Sequence, residues 1–292
     1  MSETTAATPI LVLGGTSLIG RHLLKDLRAQ ERPFTAISRD PPMDGGSEWL
    51  RGDQTHGDLV GRLPQAETAL SLSPVWLLPT ALPALAAAGV KRLVAFSSTS
   101  RTTKADSPSP EERAVAARLT EGEAETERFC EAHEITWTVL RPTLIYSEGE
   151  DANISRLAAL IRRFGVLPLS GFGGGLRQPV HAADLAQAAL AVIDREQTFN
   201  RAYDLPGGET LTYRVMVERV FEGLGRKPRI IALPPPIWRF GLSLMGSRLP
   251  DATAAMGARM GEDLAFDPVP ARRDFNWAAR PFRPLFELAQ AP

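Results

Sequence analysis

The sequence is poor in the residues on which several classes of protein depend. Its 292 residues include one cysteine, Cys130, so no disulfide can form within the chain. Only four histidines occur, and no His, Cys or carboxylate residues have the spacing of metal ligands. The formal net charge of −1 argues against a nucleic-acid surface. We therefore expect a metabolic protein of a reducing compartment with no metal site, and a small buried residue at the single thiol.

Long apolar runs are absent as well. No uncharged apolar stretch reaches the roughly 20 residues that a membrane-spanning helix needs. Residues 1–9 are small and polar, without the basic start and apolar core of a secretory signal. We expect them to form a disordered tail, residues 10–292 to form one domain, and the protein to be cytoplasmic.

The clearest positive signal is the segment Ile10–Leu24, which reads ILVLGGTSLIGRHLL. Its apolar start predicts a buried strand, and its end predicts a helix. A glycine turn between strand and helix binds a dinucleotide pyrophosphate, because the free amides of the first helical turn face the phosphates. Ser17 stands where the usual middle glycine of such a turn would be. We predict that the cofactor turn consists of Gly14, Thr16, Ser17, Leu18, Ile19 and Gly20.

Further apolar segments predict the neighbouring strands, at Phe34–Ser38, Trp49–Asp53 and Ala69–Ser73. Arg39 follows the second strand, where an arginine accommodates the 2′-phosphate of NADP, although Asp40 leaves NAD open. Asp53 could meet the adenine. As solvated turn residues, Arg39 and Asp53 would look the same. The cofactor would also touch the turn after the fourth strand, formed by Leu72, Ser73 and Pro74.

Three motifs, GGTSLIG, VKRLVAFSSTS and ITWTVLRPTLIY, together resemble the extended short-chain dehydrogenase/reductase superfamily of sugar-nucleotide epimerases and dehydratases. The resemblance implies a Rossmann-type doubly wound parallel sheet of the α/β class. It also implies a small, mostly helical carboxyl-terminal substrate lobe, built from roughly 151–180 and 205–292. In such proteins the catalytic hydroxyl corresponds to Thr99. The residues beside the cofactor correspond to Ser97, Pro142 and Thr143.

The catalytic tyrosine and lysine of that superfamily, four residues apart on one helix, are missing here. The only tyrosines are Tyr146, Tyr203 and Tyr213, and none lies in the helix predicted over Glu111–His133. The chain therefore resembles atypical members, namely NmrA-like regulators and an accessory subunit of respiratory complex I. Tyr146 is a candidate replacement for the missing acid, and packing in the core is its alternative role.

The second half of the chain supplies candidates for the substrate side. The resemblance nominates Arg177 as a ligand of a substrate diphosphate, which its forked guanidinium suits. His181 is a candidate substrate contact or a packed structural residue, and Asp184 is the predicted cap of a helix over Leu185–Ile193. The segment Ile237–Met245 is a candidate surface for a protein partner.

Two functions follow. The first is that of an NAD(P)-dependent oxidoreductase or epimerase, with NADP preferred to NAD, acting on a sugar nucleotide or a related phosphorylated small molecule. The second is that of a non-catalytic dinucleotide-binding regulator or assembly factor, which the missing Tyr-x-x-x-Lys pair favours.

Overall fold

Seven parallel strands form the central sheet of the computed structural model, which describes residues 9–234, 236–238 and 254–286. The strands of this sheet are β1 (Ile10–Leu13), β2 (Phe34–Ser38), β3 (Trp49–Arg51), β4 (Thr68–Ser71), β5 (Arg92–Phe96), β6 (Thr136–Pro142) and β11 (Arg201–Leu205). Their spatial order is β11-β6-β5-β4-β1-β2-β3. The chain starts in the middle, proceeds to one edge and then returns to build the other. This order confirms the predicted Rossmann-type doubly wound sheet.

Both faces of the sheet are covered by helices, which is why its central strand β1 is apolar throughout. Successive side chains of β1 point to opposite faces, so Ile10 and Val12 enter one apolar cluster while Leu11 and Leu13 enter the other. The helices are α1 (Leu18–Ala29), α2 (Leu82–Ala87), α3 (Ser100–Thr103), α4 (Pro110–Ala132), α5 (Ile154–Phe164), α6 (Ala182–Ala191) and α7 (Tyr213–Gly223). Shorter helical segments lie at Ala254–Arg259 and Val269–Phe275, with 3-10 turns at Gly46–Glu48, Val75–Leu77 and Glu196–Thr198.

A third apolar cluster lies under α5 and α7, and its buried members come from positions 146 to 286. Short strand pairs frame it. They join β7 (Ile145–Tyr146) to β10 (Val180–His181), β8 (Leu167–Ser170) to β13 (Ile230–Leu233), and β9 (Leu176–Arg177) to β12 (Leu211–Thr212). A cleft lies between the sheet and this third cluster.

Two local predictions from the sequence fail for identifiable reasons. The motif VKRLVAFSSTS predicts a strand over Arg92–Ser100, but its hydroxyl-rich end is not strand, because the chain turns into α3 once the Thr99 amide donates to the Pro142 carbonyl. The helix predicted over Leu185–Ile193 begins earlier, at Ala182, and His181 caps it instead of Asp184. A histidine side chain supplies here the acceptor that an aspartate usually supplies.

Within the described ranges no helix is long and apolar enough to cross a membrane. The predicted tail over residues 1–9 lies, apart from its last residue, outside the described residues. The same is true of the predicted partner surface Ile237–Met245, of which only Ile237 and Trp238 are described.

The single thiol gives a direct test of this packing. Cys130 is fully buried under the sheet, and burial raises the pKa of its thiol to about 12. Since the thiolate is the reactive species, we expect Ellman's reagent at pH 8 to leave the native protein unlabelled. One thiol per chain should react in denaturing guanidinium chloride. Rapid labelling of the native protein would contradict the burial of Cys130.

Candidate functional site

The glycine turn after β1 is shaped by close backbone contacts. Gly14 has a φ of +81°, and a Cβ there would lie 2.7 Å from the Ser73 hydroxyl oxygen. A Cβ on Gly20 would meet the carbonyl oxygens of Gly15 and Gly14, the latter at 2.6 Å. Both positions therefore require glycine, one for its backbone conformation and the other for the tight approach of α1 to the turn.

Ser17 caps α1, because its Oγ accepts a hydrogen bond from the Gly20 amide at 3.1 Å. No described residue accepts from the amides of Leu18 and Ile19, which belong to the same first turn. The Ser17 hydroxyl also keeps its hydrogen available for donation. The turn thus presents amide and hydroxyl donors at the positive end of a helix, which suits a pyrophosphate.

The other predicted cofactor residues lie around this turn. The segment from Leu72 to Pro74 contacts Gly14 and follows β4, the strand beside β1. Arg39 is exposed at the end of β2, where the backbone carbonyl of Arg39 accepts from the Arg51 guanidinium. Asp53 accepts two hydrogen bonds from Thr55, which hold the pKa of its carboxyl below the usual value. The structure brings these residues to one edge of the sheet, while their contacts with a cofactor stay predictions.

The first three of the four hydroxyl residues after β5 have different partners. The Ser97 hydroxyl donates to Glu123, and the Thr99 hydroxyl donates to the Pro142 carbonyl at 3.1 Å. Ser98 lines the cleft, and its Oγ accepts from the Ser100 amide, so its hydrogen remains free to donate. Thr99 was the predicted catalytic hydroxyl, whereas the geometry adds Ser98, which sequence reasoning passed over within the same run.

Glu123 is the centre of a buried ionic cluster beneath these hydroxyls. Its side chain is 2% exposed and receives two guanidinium nitrogens of Arg141, at 3.1 and 2.5 Å. Arg101 approaches the same carboxylate at 3.4 Å. Nearby, burial raises the pKa of the Asp204 carboxyl. Glu123 comes from α4 and Arg141 from β6. Because the Ser97 hydroxyl, directly after β5, also donates to Glu123, the cluster fixes the end of β5 as well.

A cleft of about 920 Å³ runs from the first turn of α1 to the third apolar cluster. Near the sheet it is lined by Leu18, by hydroxyl residues and by Lys104. Further out its walls are mainly apolar. The apolar lining side chains there are Ile154, Leu157, Leu160, Phe164, Val166, Leu167, Met216, Met260, Leu264 and Phe266. The volume is that of a site for a small organic molecule.

Arg177 lies in the wall of this cleft, buried to 6% exposure. Its guanidinium donates to the backbone carbonyls of Leu176, Glu262 and Arg259, the first two at 2.6 and 2.8 Å. The ring of Tyr213 lies 5.4 Å from the Arg177 guanidinium carbon. Through these contacts Arg177 connects β9 to the end of the helical segment Ala254–Arg259 and to the residues that follow it. Its contact with a substrate diphosphate stays a prediction.

The tyrosines occupy different places from the one that the sequence suggested. Tyr146 is 1% exposed and packs edge-on against His181 and Phe282, so it lies in the core and not in the cleft wall. Burial raises the pKa of its phenol well above the usual value. The tyrosine that lines the cleft is Tyr213, and no pattern in the sequence distinguished it. His181 caps α6 through Nδ1 and pairs with Glu148 through Nε2 at 3.1 Å.

No group of three or more His, Cys, Asp or Glu side chains among the described residues could hold a metal ion. The arrangement therefore consists of a pyrophosphate-type turn, hydroxyl donors and an adjoining apolar cleft.

Comparison with known proteins shows what this chain is similar to. Residues 78–205 match the model of the NAD dependent epimerase/dehydratase family. The fold matches the structure of MoeE5 in complex with UDP-glucose and NAD, with a TM-score of 0.72, 22% identity and 94% of each chain covered. That likeness concerns the fold.

Two curated proteins are similar to this chain in sequence. NAD(P)H azoreductase of Xenophilus azovorans is 26% identical over 301 residues, covering 97% of each chain. Subunit 9 of the NADH dehydrogenase [ubiquinone] 1 alpha subcomplex of Arabidopsis thaliana, a mitochondrial protein, is 30% identical over 101 residues. The latter alignment spans 34% of this chain and only 25% of the subunit.

Helix α4 contains neither tyrosine nor lysine. Around the positions where the resemblance places the catalytic pair, it carries Val115, Ala117, Arg118, Leu119 and Glu121. The helix instead contributes the Glu123 carboxylate, which holds the ends of β5 and β6.

The Glu123 cluster gives a testable consequence for stability. Replacing Glu123 by Gln leaves Arg141 and Arg101 without their buried counter-charge, so the free energy of unfolding should fall by about 3 kcal/mol. Chemical denaturation followed by circular dichroism measures this change. The matched control is Glu121→Gln on the exposed face of α4, which should change the free energy of unfolding by less than about 0.5 kcal/mol. Equal effects of the two substitutions would show that Glu123 has no special structural role.

Proposed function

We propose that this protein binds a reduced nicotinamide dinucleotide and transfers hydride from it to a small organic acceptor held in the cleft. The observation that carries the proposal is the continuity between the first turn of α1 and the cleft, because Leu18 belongs to both. A dinucleotide with its pyrophosphate at Gly14–Gly20 has room to extend toward Ser98 and Thr143. The bound cofactors named for the structural neighbours support the same ligand class.

The residues around the glycine turn fit such a cofactor. The amides of Leu18 and Ile19 and the Ser17 hydroxyl would donate to the pyrophosphate oxygens. The glycine at position 14 leaves the space that a Cβ would fill against Ser73. When bound, the reduced nicotinamide supplies hydride chemistry. The protein's own part is to orient the acceptor. Ser98 lines the cleft and has a hydroxyl hydrogen to donate to the acceptor.

NADP is the preferred cofactor in this proposal. Arg39 is exposed at the end of β2, and it makes no side-chain hydrogen bond or ion pair within the described parts of the chain. Arg51 lies beside it, paired with Asp40 at 3.1 Å across exposed surface. Such exposed pairs are weak, so both guanidinium groups can turn toward a 2′-phosphate.

The alternative function is that of a non-catalytic dinucleotide-binding protein. It is favoured by the absence of a Tyr-x-x-x-Lys pair, since α4 contains neither tyrosine nor lysine. The similarity of a third of the chain to a subunit of a respiratory NADH dehydrogenase agrees with such a role. A sugar nucleotide was the expected substrate, and the MoeE5 complex with UDP-glucose supports it by analogy. The engagement of Arg177 with three carbonyls argues against its predicted diphosphate contact.

Cofactor choice can be measured directly. We expect fluorescence titration to show tighter binding of NADPH than of NADH. Arg39→Ala should weaken NADPH binding about tenfold and leave NADH binding unchanged, because only NADPH carries the 2′-phosphate. Arg32→Ala, before the opposite end of β2, is the matched control and should affect neither cofactor. An unchanged preference in Arg39→Ala would refute the assignment of Arg39.

Turnover separates the two functions. If the protein is a reductase, NADPH absorbance at 340 nm should decay when the full chain is mixed with a panel of carbonyl and quinone acceptors. A protein that binds NADPH tightly but oxidises it with no acceptor in the panel would support the non-catalytic alternative instead.

A further inference from the structure

Gln178 and Asp151, two polar residues of the outer half of the cleft, are already hydrogen-bonded within the protein. Gln178 donates to the Thr210 hydroxyl and the Phe266 carbonyl and accepts from the Phe266 amide at 2.7 Å. The Asp151 carboxylate accepts from three amides at the start of α5 and from the Ser155 hydroxyl. A polar substrate would have to break these bonds to gain partners of its own.

Two arginines of the outer cleft are also engaged by groups of the protein. Arg177 donates to three carbonyls, and Arg259 forms an ion pair with Glu112 of α4. The first contact fixes the segment after Ala254–Arg259, and the second ties that helix to the sheet domain. A ligand with many hydroxyl groups or a diphosphate would therefore find its hydrogen-bonding needs poorly met, and each unmet polar group costs about 1–3 kcal/mol.

The apolar side chains of the cleft, in contrast, need no hydrogen-bond partners, and they line the cleft from several elements. Leu160 and Phe164 of α5 are only partly covered, with Phe164 50% exposed, while Met216 and Met260 form the opposite wall. Methionine adapts its shape and makes favourable contacts with aromatic rings. This lining suits a ring-bearing, mainly apolar ligand.

The missing acid on α4 points to the same class of ligand. Hydride addition to an isolated ketone leaves an alkoxide, the conjugate base of an acid about as weak as water, with a pKa of about 16. So basic an anion forms readily only if an acid donates a proton as the hydride arrives, and α4 has neither a tyrosine nor a lysine for that role. Hydride addition to a quinone leaves a phenolate, whose conjugate acid has a pKa of about 10, so this less basic anion can form without such an acid and take its proton from solvent afterwards.

Resting on the proposed hydride transfer, we infer that the acceptor is an apolar conjugated ring compound of the quinone type, and not a sugar nucleotide. The acceptor gains two electrons and one hydrogen as hydride from the reduced cofactor, which is left oxidised. Its oxygen then takes one proton from water, and the product is the hydroquinone. The Ser98 hydroxyl orients the acceptor oxygen by a hydrogen bond, and the apolar walls hold the rings.

Binding tests this inference without reference to turnover. Isothermal titration of the full chain, saturated with NADP⁺, should show heat of binding for 2-naphthol, an unreactive ring compound, and none for UDP-glucose. Binding of UDP-glucose without 2-naphthol, or of neither ligand, overturns the inference. Neither outcome touches the proposed function, which stands or falls with the separate titration of NADPH.

A matched pair of variants locates the ligand. Leu160→Gln places a polar amide in the cleft wall and should weaken 2-naphthol binding by at least about tenfold. Ala159→Gln introduces the same side chain one residue earlier, at an exposed position outside the cleft lining, and should leave binding unchanged. Thermal denaturation of both variants, with melting temperatures close to that of the wild type, ensures that folded proteins are compared. Equal binding by the two variants overturns the inference.

Reduction of 1,4-naphthoquinone supplies the kinetic readout. NADPH oxidation with this acceptor should be faster for the wild type and Ala159→Gln than for Leu160→Gln, with the difference carried mainly by KM. If the wild type oxidises NADPH with UDP-glucose-derived ketones but not with naphthoquinone, the protein is a reductase of another substrate class. The proposed function then survives and the substrate inference fails.

Discussion

The substrate side of this protein depends on one buried cation. The guanidinium of Arg177 donates to backbone carbonyls of its own strand and of the segment that follows Ala254–Arg259. A charge removed from water must be compensated by good hydrogen bonds, and carbonyl oxygens supply them here. Because those carbonyls belong to a distant part of the chain, satisfying the charge also closes one wall of the cleft. The same contacts leave the guanidinium poorly placed to serve a ligand.

On the side of the cleft formed by the sheet, a buried anion has the comparable role of fixing the ends of strands. Glu123 brings together Ser97 after β5, Arg141 at the end of β6 and Arg101 on α3. The carboxyl ends of parallel strands meet at the edge where ligands bind, so a cluster that fixes two of these ends also fixes the hydroxyl residues that follow them. Helix α4, which contains neither tyrosine nor lysine, thus positions the ends of two strands through its buried Glu123 carboxylate.

Sequence reasoning located the elements well but assigned the side chains unevenly. The strand β2 was predicted with its observed bounds, whereas β3 and β4 were predicted to end two residues later than they do. Local patterns indicate that a strand exists more reliably than they indicate where it ends. Tyr146 and Tyr213 show that the sequence does not predict which side chains face the cleft. Both are tyrosines near the predicted cleft, yet one packs in the core against Phe282 and the other lines the cavity. Which side of an element a residue occupies depends on partners that are far away in the chain.

The sequence by itself determined the strand and helix that flank the glycine turn at Gly14 and Gly20, and the absence of a Tyr-x-x-x-Lys pair, since each is encoded in local spacing or residue type. Only the tertiary structure decided how the polar residues of the cleft are used. Arg177, Gln178 and Asp151 are all capable of binding a ligand, and the spacing of the sequence cannot reveal that each is engaged elsewhere. Hydrogen-bond partners 80 or more residues apart, such as Arg177 and Glu262, are brought together by folding alone.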